Sequence, residues 1–130
     1  MAAAPAAHIA PLRSAHVTYV MRRFELEPYL KGLQIFKITE LFVVPPLVIS
    51  IIMSPMSKVY SLKSVKHASC GAAPLDKDPQ GKFRALLSPD ARVTQVYGMT
   101  ETSCVSTMFR WHEDDRTASV GRFIPNMEAR

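Results

Sequence analysis

Two short runs of this sequence combine residue types that could grip a nucleotide. In residues 95–101, Gln95-Val96-Tyr97-Gly98-Met99-Thr100-Glu101, the ring of Tyr97 could stack on a base while Gly98 frees the backbone to turn. The Thr100 hydroxyl can donate to a phosphate oxygen. The Glu101 carboxylate is the hard oxygen donor that magnesium takes alongside substrate phosphates. In residues 70–75, Cys70-Gly71-Ala72-Ala73-Pro74-Leu75, three small residues in succession let a flat ligand approach the main chain, because no side chain intervenes. Each run also has a plainer explanation. Residues 71–74 read as a tight structural turn, and residues 95–101 as a strand ending in a capped turn with Glu101 solvated.

Other reactive residue types are less organised. The four histidines, His8, His16, His67 and His112, show no metal-ligand spacing. Glu113-Asp114-Asp115 reads as a solvated loop. Cys70 and Cys104 read as buried thiols, and no CxxC pair exists. Ser103 lacks a GxSxG context.

The elements that must position the two runs follow from hydrophobic spacing. Residues 16–21 (HVTYVM) have the β-branched and aromatic content of a short strand. Leu26, Leu30, Leu33 and Phe36 mark one stripe of a helix over residues 25–36. Residues 38–44 (ITELFVV) read as a buried strand, ended by Pro45-Pro46, and a helix over about residues 47–53 follows. Residues 65–70 are a second buried-type strand. Residues 76–88 contain a helix whose Phe83, Leu86 and Leu87 face inward, with Pro79 and Gly81 expected to spoil its first turn. Residues 92–97 (RVTQVY) form a further strand breaking at Gly98, and residues 112–119 are polar loop. This rhythm predicts an α/β fold in which strand–helix repeats form a mostly parallel sheet with flanking helices. Both candidate runs then follow strands, where ligands collect in open sheets.

Composition bounds the alternatives. The chain has 130 residues, 48% hydrophobic and 21% charged, which excludes wholesale disorder and fits one small domain or part of a larger one. Sixteen basic against eleven acidic residues leave a net charge of +5. The basic residues are scattered, without the aromatic interleaving of single-strand binders, so no nucleic-acid partner is expected. The longest apolar run, residues 41–53, is shorter than the roughly 20 residues of a membrane span and contains two prolines. Residues 1–12 are an irregular Ala/Pro-rich lead without the basic n-region of a secretory peptide.

The run Tyr97-Gly98-Met99-Thr100-Glu101, with Gly71-Ala72-Ala73-Pro74-Leu75 about 25 residues before it, resembles the adenylate-forming (AMP-binding) superfamily, in its acyl-CoA synthetase and 4-coumarate:CoA ligase branch. Supporting segments match in order: Tyr19-Val20-Met21, Arg23-Phe24-Glu25-Leu26-Glu27, Val44-Pro45-Pro46, Ser119-Val120-Gly121-Arg122 and Pro125-Asn126-Met127-Glu128-Ala129. The resemblance implies that residues 13–130 form an incomplete subdomain of the large N-terminal domain of such enzymes. It also implies the site: Gly71, Ala72, Ala73 and Pro74 line the adenine pocket, with Gln95, Val96, Tyr97, Gly98 and Met99 opposite. Tyr97 stacks on the base, Thr100 contacts the α-phosphate and Glu101 coordinates Mg2+. The implied substrates are ATP, a small aryl or acyl carboxylic acid and coenzyme A, joined through an acyl-AMP intermediate. The implied compartment is intracellular, cytoplasmic or peroxisomal.

Departures from the family pattern carry expectations of their own. Val96 stands where the family usually has glycine, which would narrow the acyl pocket and favour slim acyl groups. The family's Ser/Thr/Gly-rich phosphate loop, its Tyr-x-x-Gly-Asp segment and its C-terminal catalytic lysine have no counterpart in these 130 residues. The chain alone is therefore expected to be incompetent in adenylation, with self-association through uncovered apolar surface. A non-catalytic remnant or pseudoenzyme that binds nucleotide weakly, or a partner, is the competing reading.

Overall fold

The computed structural model describes residues 9–128. The elements run α1 (Ala10–Arg13), α2 (Leu26–Ile35), β1 (Glu40–Val43), α3 (Pro45–Met53), a 3-10 turn (Pro55–Lys58), β2 (His67–Cys70), α4 (Lys77–Leu86), β3 (Arg92–Gln95), β4 (Tyr97–Met99), a second 3-10 turn (Thr100–Thr102), β5 (Cys104–Met108) and β6 (Arg122–Phe123). Strands β1, β2 and β3 make a parallel sheet in that order, with Leu41↔Ala68↔Val93 and Val43↔Cys70↔Gln95 in register. Strands β4, β5 and β6 make a second, antiparallel sheet. The α/β expectation with a parallel sheet and helices holds; the antiparallel sheet is an addition that the strand rhythm did not reveal.

The core follows from side-chain parity. Residues two apart on a strand share a face. Leu41, Val43, Ala68, Cys70 and Val93 accordingly join Leu30 and Leu33 of α2, Val48 and Ile51 of α3, and Phe83 of α4 in one buried cluster. Phe42 points the other way and is 67% exposed, so β1 alternates where continuous burial was expected. Pro45 and Pro46 end β1 and occupy the first two positions of α3, where a missing N–H costs nothing because no intrahelical partner exists there.

Several expectations are corrected. Residues 16–21 form no ladder. Val17 and Val20 are exposed and Tyr19 stacks on Phe36 with ring centroids 4.3 Å apart; β-type composition makes a strand only where a partner edge is engaged. Residues 10–12 of the supposed irregular lead belong to α1, while residues 1–8 lie outside the described part. Pro79 does not spoil α4: it is the third helical residue, where its lacking N–H is again an orphan position. Gly81 is tolerated in the exposed helix surface. The strand over residues 92–97 divides at Val96, its first part in the parallel sheet and Tyr97 already in the antiparallel one.

The acidic loop is also not simply solvated. Asp114 pairs with Arg84, Glu113 with Arg122, and Asp115 is 5% exposed. Its carboxylate Oδ1 accepts from the Thr117 N–H at 2.9 Å and from the Thr117 hydroxyl at 2.6 Å. Gln80, buried in α4, donates from Nε2 to the main-chain oxygens of Val93 (2.6 Å) and Asp115 (3.1 Å). Trp111 lies against His67, with ring centroids at 4.6 Å, and its carbonyl accepts from Arg92 Nη1 at 2.9 Å. Together these contacts fasten the β5–β6 connection to α4 and the parallel sheet. Among the described residues no helix is long and apolar enough to cross a membrane.

Candidate functional site

Both candidate runs leave the carboxyl ends of adjacent parallel strands. Residues 71–75 follow β2, Val96 follows β3, and the Cys70↔Gln95 pairing sets their starting points side by side. The Val96 N–H donates to the Cys70 carbonyl at 2.9 Å and the Gly71 N–H to the Val43 carbonyl at 3.1 Å, so the ladder continues one residue past each strand. A Cβ on Gly71 would lie 2.9 Å from Val96 Cγ2. Glycine at 71 is what lets the bases of the two loops close on each other while Val96 keeps its side chain.

The loop over residues 71–75 is shaped by its own backbone. Ala72 holds φ +73°, a left-handed conformation that costs a residue with a Cβ about 1–2 kcal/mol. Ala72, Ala73 and Pro74 are exposed, and Leu75 is buried. The buried Gln95 side chain grips this loop at both polar groups of one residue. Its Oε1 accepts from the Leu75 N–H and its Nε2 donates to the Leu75 carbonyl, each at 2.8 Å. The Gln95 amide, expected to face the nucleotide, is thus committed to the protein backbone.

The opposite wall is the start of the antiparallel sheet. Tyr97 pairs with Thr107 and Gly98 with Val105, leaving one extra residue on β5 as a bulge. Gly98 is obligatory: a Cβ there would lie 2.0 Å from the Cys104 carbonyl oxygen. The chain then turns through Thr100–Thr102 and reverses at Ser103 (φ +61°). Thr102 Oγ1 holds that turn, donating to the Met99 carbonyl at 3.1 Å and sharing a 2.7 Å hydrogen bond with Ser106 Oγ. Tyr97 is 48% exposed, and Gly98, Met99, Thr100 and Glu101 are exposed as well.

The structure thus brings the small-residue loop and the root of the Tyr97 segment together, with Thr100 and Glu101 at the far end of β4 on the exposed turn. Cys70, between the loops, is buried, which pushes its thiol up to about 11 and leaves it protonated at neutral pH. Cys104 is half-buried rather than buried. Among the described residues, no group of three or more His, Cys, Asp or Glu could hold a metal by itself. The supports that were missed, Gln95 on Leu75 and Arg84 on Asp114, join residues 20 and 30 apart. No local sequence signal marks such pairs.

A small-residue loop and an aromatic turn thus meet at the carboxyl edge of a parallel sheet, the edge where open α/β sheets collect ligands. Residues 3–130 match the family described as "AMP-binding enzyme". The chain is 49% identical over 130 residues to acyl-CoA synthetase ACTT5 of Alternaria alternata, covering 100% of this chain and 22% of that protein. It is likewise 49% identical over 131 residues to phenylacetyl-CoA ligase epaB of Aspergillus niger, covering 99% of this chain and 24% of the relative. The crystal structure of the anthranilate CoA ligase AuaEII in complex with anthranoyl-AMP superposes with a TM-score of 0.84 over 95% of this chain and 24% of that one. At 14% identity that likeness speaks for the fold alone. The chain belongs to the AMP-binding, adenylate-forming enzyme family, in its acyl-CoA and 4-coumarate:CoA ligase-like branch. It spans about a quarter of the length of the curated relatives it matches.

Proposed function

We propose that this chain supplies one wall of the nucleotide and acyl site of an ATP-dependent carboxylate:CoA ligase. The observation that carries the reading is the pairing of residues 71–75 and 96–101 at the carboxyl edge of the parallel sheet, within a family match over the whole described chain. In this reading Gly71, Ala72 and Ala73 lie against the adenine face, and the half-exposed Tyr97 ring stacks on the base. Thr100 donates its hydroxyl to the α-phosphate. Glu101 fits a magnesium ion: its carboxylate is exposed and enters no salt bridge among the described residues, leaving hard oxygen donors free. When bound, such an ion supplies neutralisation of the charge that develops on the departing pyrophosphate.

The proposed reaction has two displacements. The substrate carboxylate attacks the α-phosphorus of ATP, forming acyl-AMP and releasing pyrophosphate. The coenzyme A thiolate then attacks the acyl carbonyl, forming the thioester and releasing AMP. Val96, half-buried between the loops, narrows the space beside Gly71 and supports slim acyl or aryl acids as substrates. The apolar face formed by Tyr19, Val20, Phe36 and Phe42, around an open cavity of about 810 Å3, supports self-association of the chain on its own.

The testing experiment is calorimetric titration of the chain with AMP, with and without MgCl2. Loss of base stacking, worth about 1–3 kcal/mol, predicts that Tyr97→Ala weakens AMP roughly 5- to 150-fold. Glu101→Gln should remove the magnesium dependence of ATP binding and leave AMP affinity in place. AMP affinity unmoved by Tyr97→Ala would refute the stacking assignment.

A further inference from the structure

We infer that Gln95 is a positioning residue of the nucleotide site: it fixes the 71–75 loop in its strained shape against the strand that delivers Tyr97. The inference rests on the proposed nucleotide reading for its consequence in binding, but its structural content stands separately.

Ala72 sits at φ +73° without being glycine, a conformation that persists only where its surroundings over-determine it. At its start, residues 70–71 are held by the ladder extension from Val96 to Cys70 and from Gly71 to Val43. At its end, the hold is the amide of Gln95, which meets both the N–H and the carbonyl of Leu75 at 2.8 Å. Gln95 is 2% exposed, and so is Leu75. Water therefore cannot replace either bond, and removing the amide leaves two buried main-chain groups unsatisfied. Leu75 is itself anchored in the core cluster, so exposed Ala72, Ala73 and Pro74 are stretched between two fixed ends.

The same residue determines where Tyr97 begins. Gln95 is the last residue of β3, and two positions later the chain is already in the antiparallel sheet. One side chain thus ties both walls together. Because its donor and acceptor are both spent on Leu75, Gln95 has little left with which to read the edge of a base. Its influence on a nucleotide comes through the loop, and it is blind to which purine is present.

That blindness separates positioning from contact. The test compares the wild-type chain with Gln95→Leu and Gln95→Glu, by amide hydrogen exchange and by titration with AMP and with IMP, which differ at the exocyclic purine substituent. In Gln95→Leu, exchange at the Leu75 amide should accelerate at least 10-fold, while Val93 in the core stays protected. AMP and IMP should weaken together, on the order of 10-fold, with their ratio unchanged. Gln95→Glu keeps the acceptor for the Leu75 N–H, so Leu75 protection should fall less than in the leucine variant. Protonating that glutamate at low pH restores a donor and should raise the Leu75 protection, taken relative to the intrinsic exchange rate at each pH, an outcome expected of a clamp and not of a packing defect. Unchanged Leu75 exchange in both variants overturns the inference, as does a selective loss of AMP over IMP. Should the wild-type chain bind neither nucleotide, the adenine-pocket and stacking roles proposed for this chain on its own fall, and the exchange data alone still decide the clamp.

Discussion

Glycine 98 and glycine 81 should respond in opposite directions to the same added methyl group. A Cβ on Gly98 would meet Cys104 O at 2.0 Å, Cys104 C at 2.7 Å and Val105 Cα at 2.8 Å, all backbone atoms that cannot rotate aside. Restoring van der Waals distances requires β4 and β5 to part by roughly 1 Å or more. That separation breaks the Tyr97↔Thr107 and Met99↔Cys104 pairing on either side. Overpacking of this kind costs about 1–3 kcal/mol, and ladder hydrogen bonds add about 1 kcal/mol each. Gly98→Ala should therefore destabilise by about 3 kcal/mol, lowering the thermal midpoint by roughly 10 °C for a chain of this size. On Gly81, a Cβ meets nothing within 4 Å and lies on the exposed surface of α4. Gly81→Ala should stabilise by about 0.5–1 kcal/mol, because alanine loses less backbone entropy in a helix. Differential scanning calorimetry reads both, and amide exchange at Thr107 against Val93 shows whether the antiparallel sheet opens ahead of the core. A Gly98→Ala protein with wild-type midpoint and wild-type Thr107 exchange would refute the close approach of β4 to Cys104.

Two further outcomes follow from the same structure. ATP–pyrophosphate exchange by the 130-residue chain, over a panel of aryl and fatty acids, should stay at background, because the chain spans only about a quarter of the length of its relatives and losing even one preorganised donor can cost about 100- to 1000-fold. Clear exchange that depends on Glu101 would overturn that expectation. Acid should unfold the chain through the 113–115 loop. Burial raises the Asp114 carboxyl, but the hydrogen bond and charge of Arg84 outweigh it and hold the group below the usual carboxylate range; Asp115 is held low in the same sense by Thr117 and neighbouring backbone N–H groups. A group whose folded value is depressed stabilises the protein above its unfolded value, near pH 4, and loses that contribution as pH falls through the folded value. Fluorescence of Trp111, the only tryptophan, should thus report loss of loop docking below about pH 4, and Arg84→Met should make that transition shallower. An identical acid profile in the variant would contradict the Arg84–Asp114 assignment.

The two candidate runs were legible because each is local in the chain. Residues 71–75 and 97–101 are continuous runs, and their order and residue types suffice to place them in a known family. The helices were legible because their apolar spacing repeats every three to four residues, as Leu26, Leu30 and Leu33 do. The strand over residues 16–21 misled because β-type composition describes a surface that fits a ladder, not the ladder itself. The acidic run misled for a similar reason: charge reads as solvation until an arginine thirty residues away closes on it.

By itself, then, the sequence determined the residue types of the two candidate runs, the alternation of strand and helix, and the family. Those depend on neighbours within a few positions. The tertiary structure decided which loops share an edge, that Val96 divides one apparent strand between two sheets, that Gly98 admits no side chain, and that Gln95 turns inward to hold Leu75. Each of these arises where backbone groups distant in sequence must find partners once water is excluded, a condition that exists only after the chain has folded.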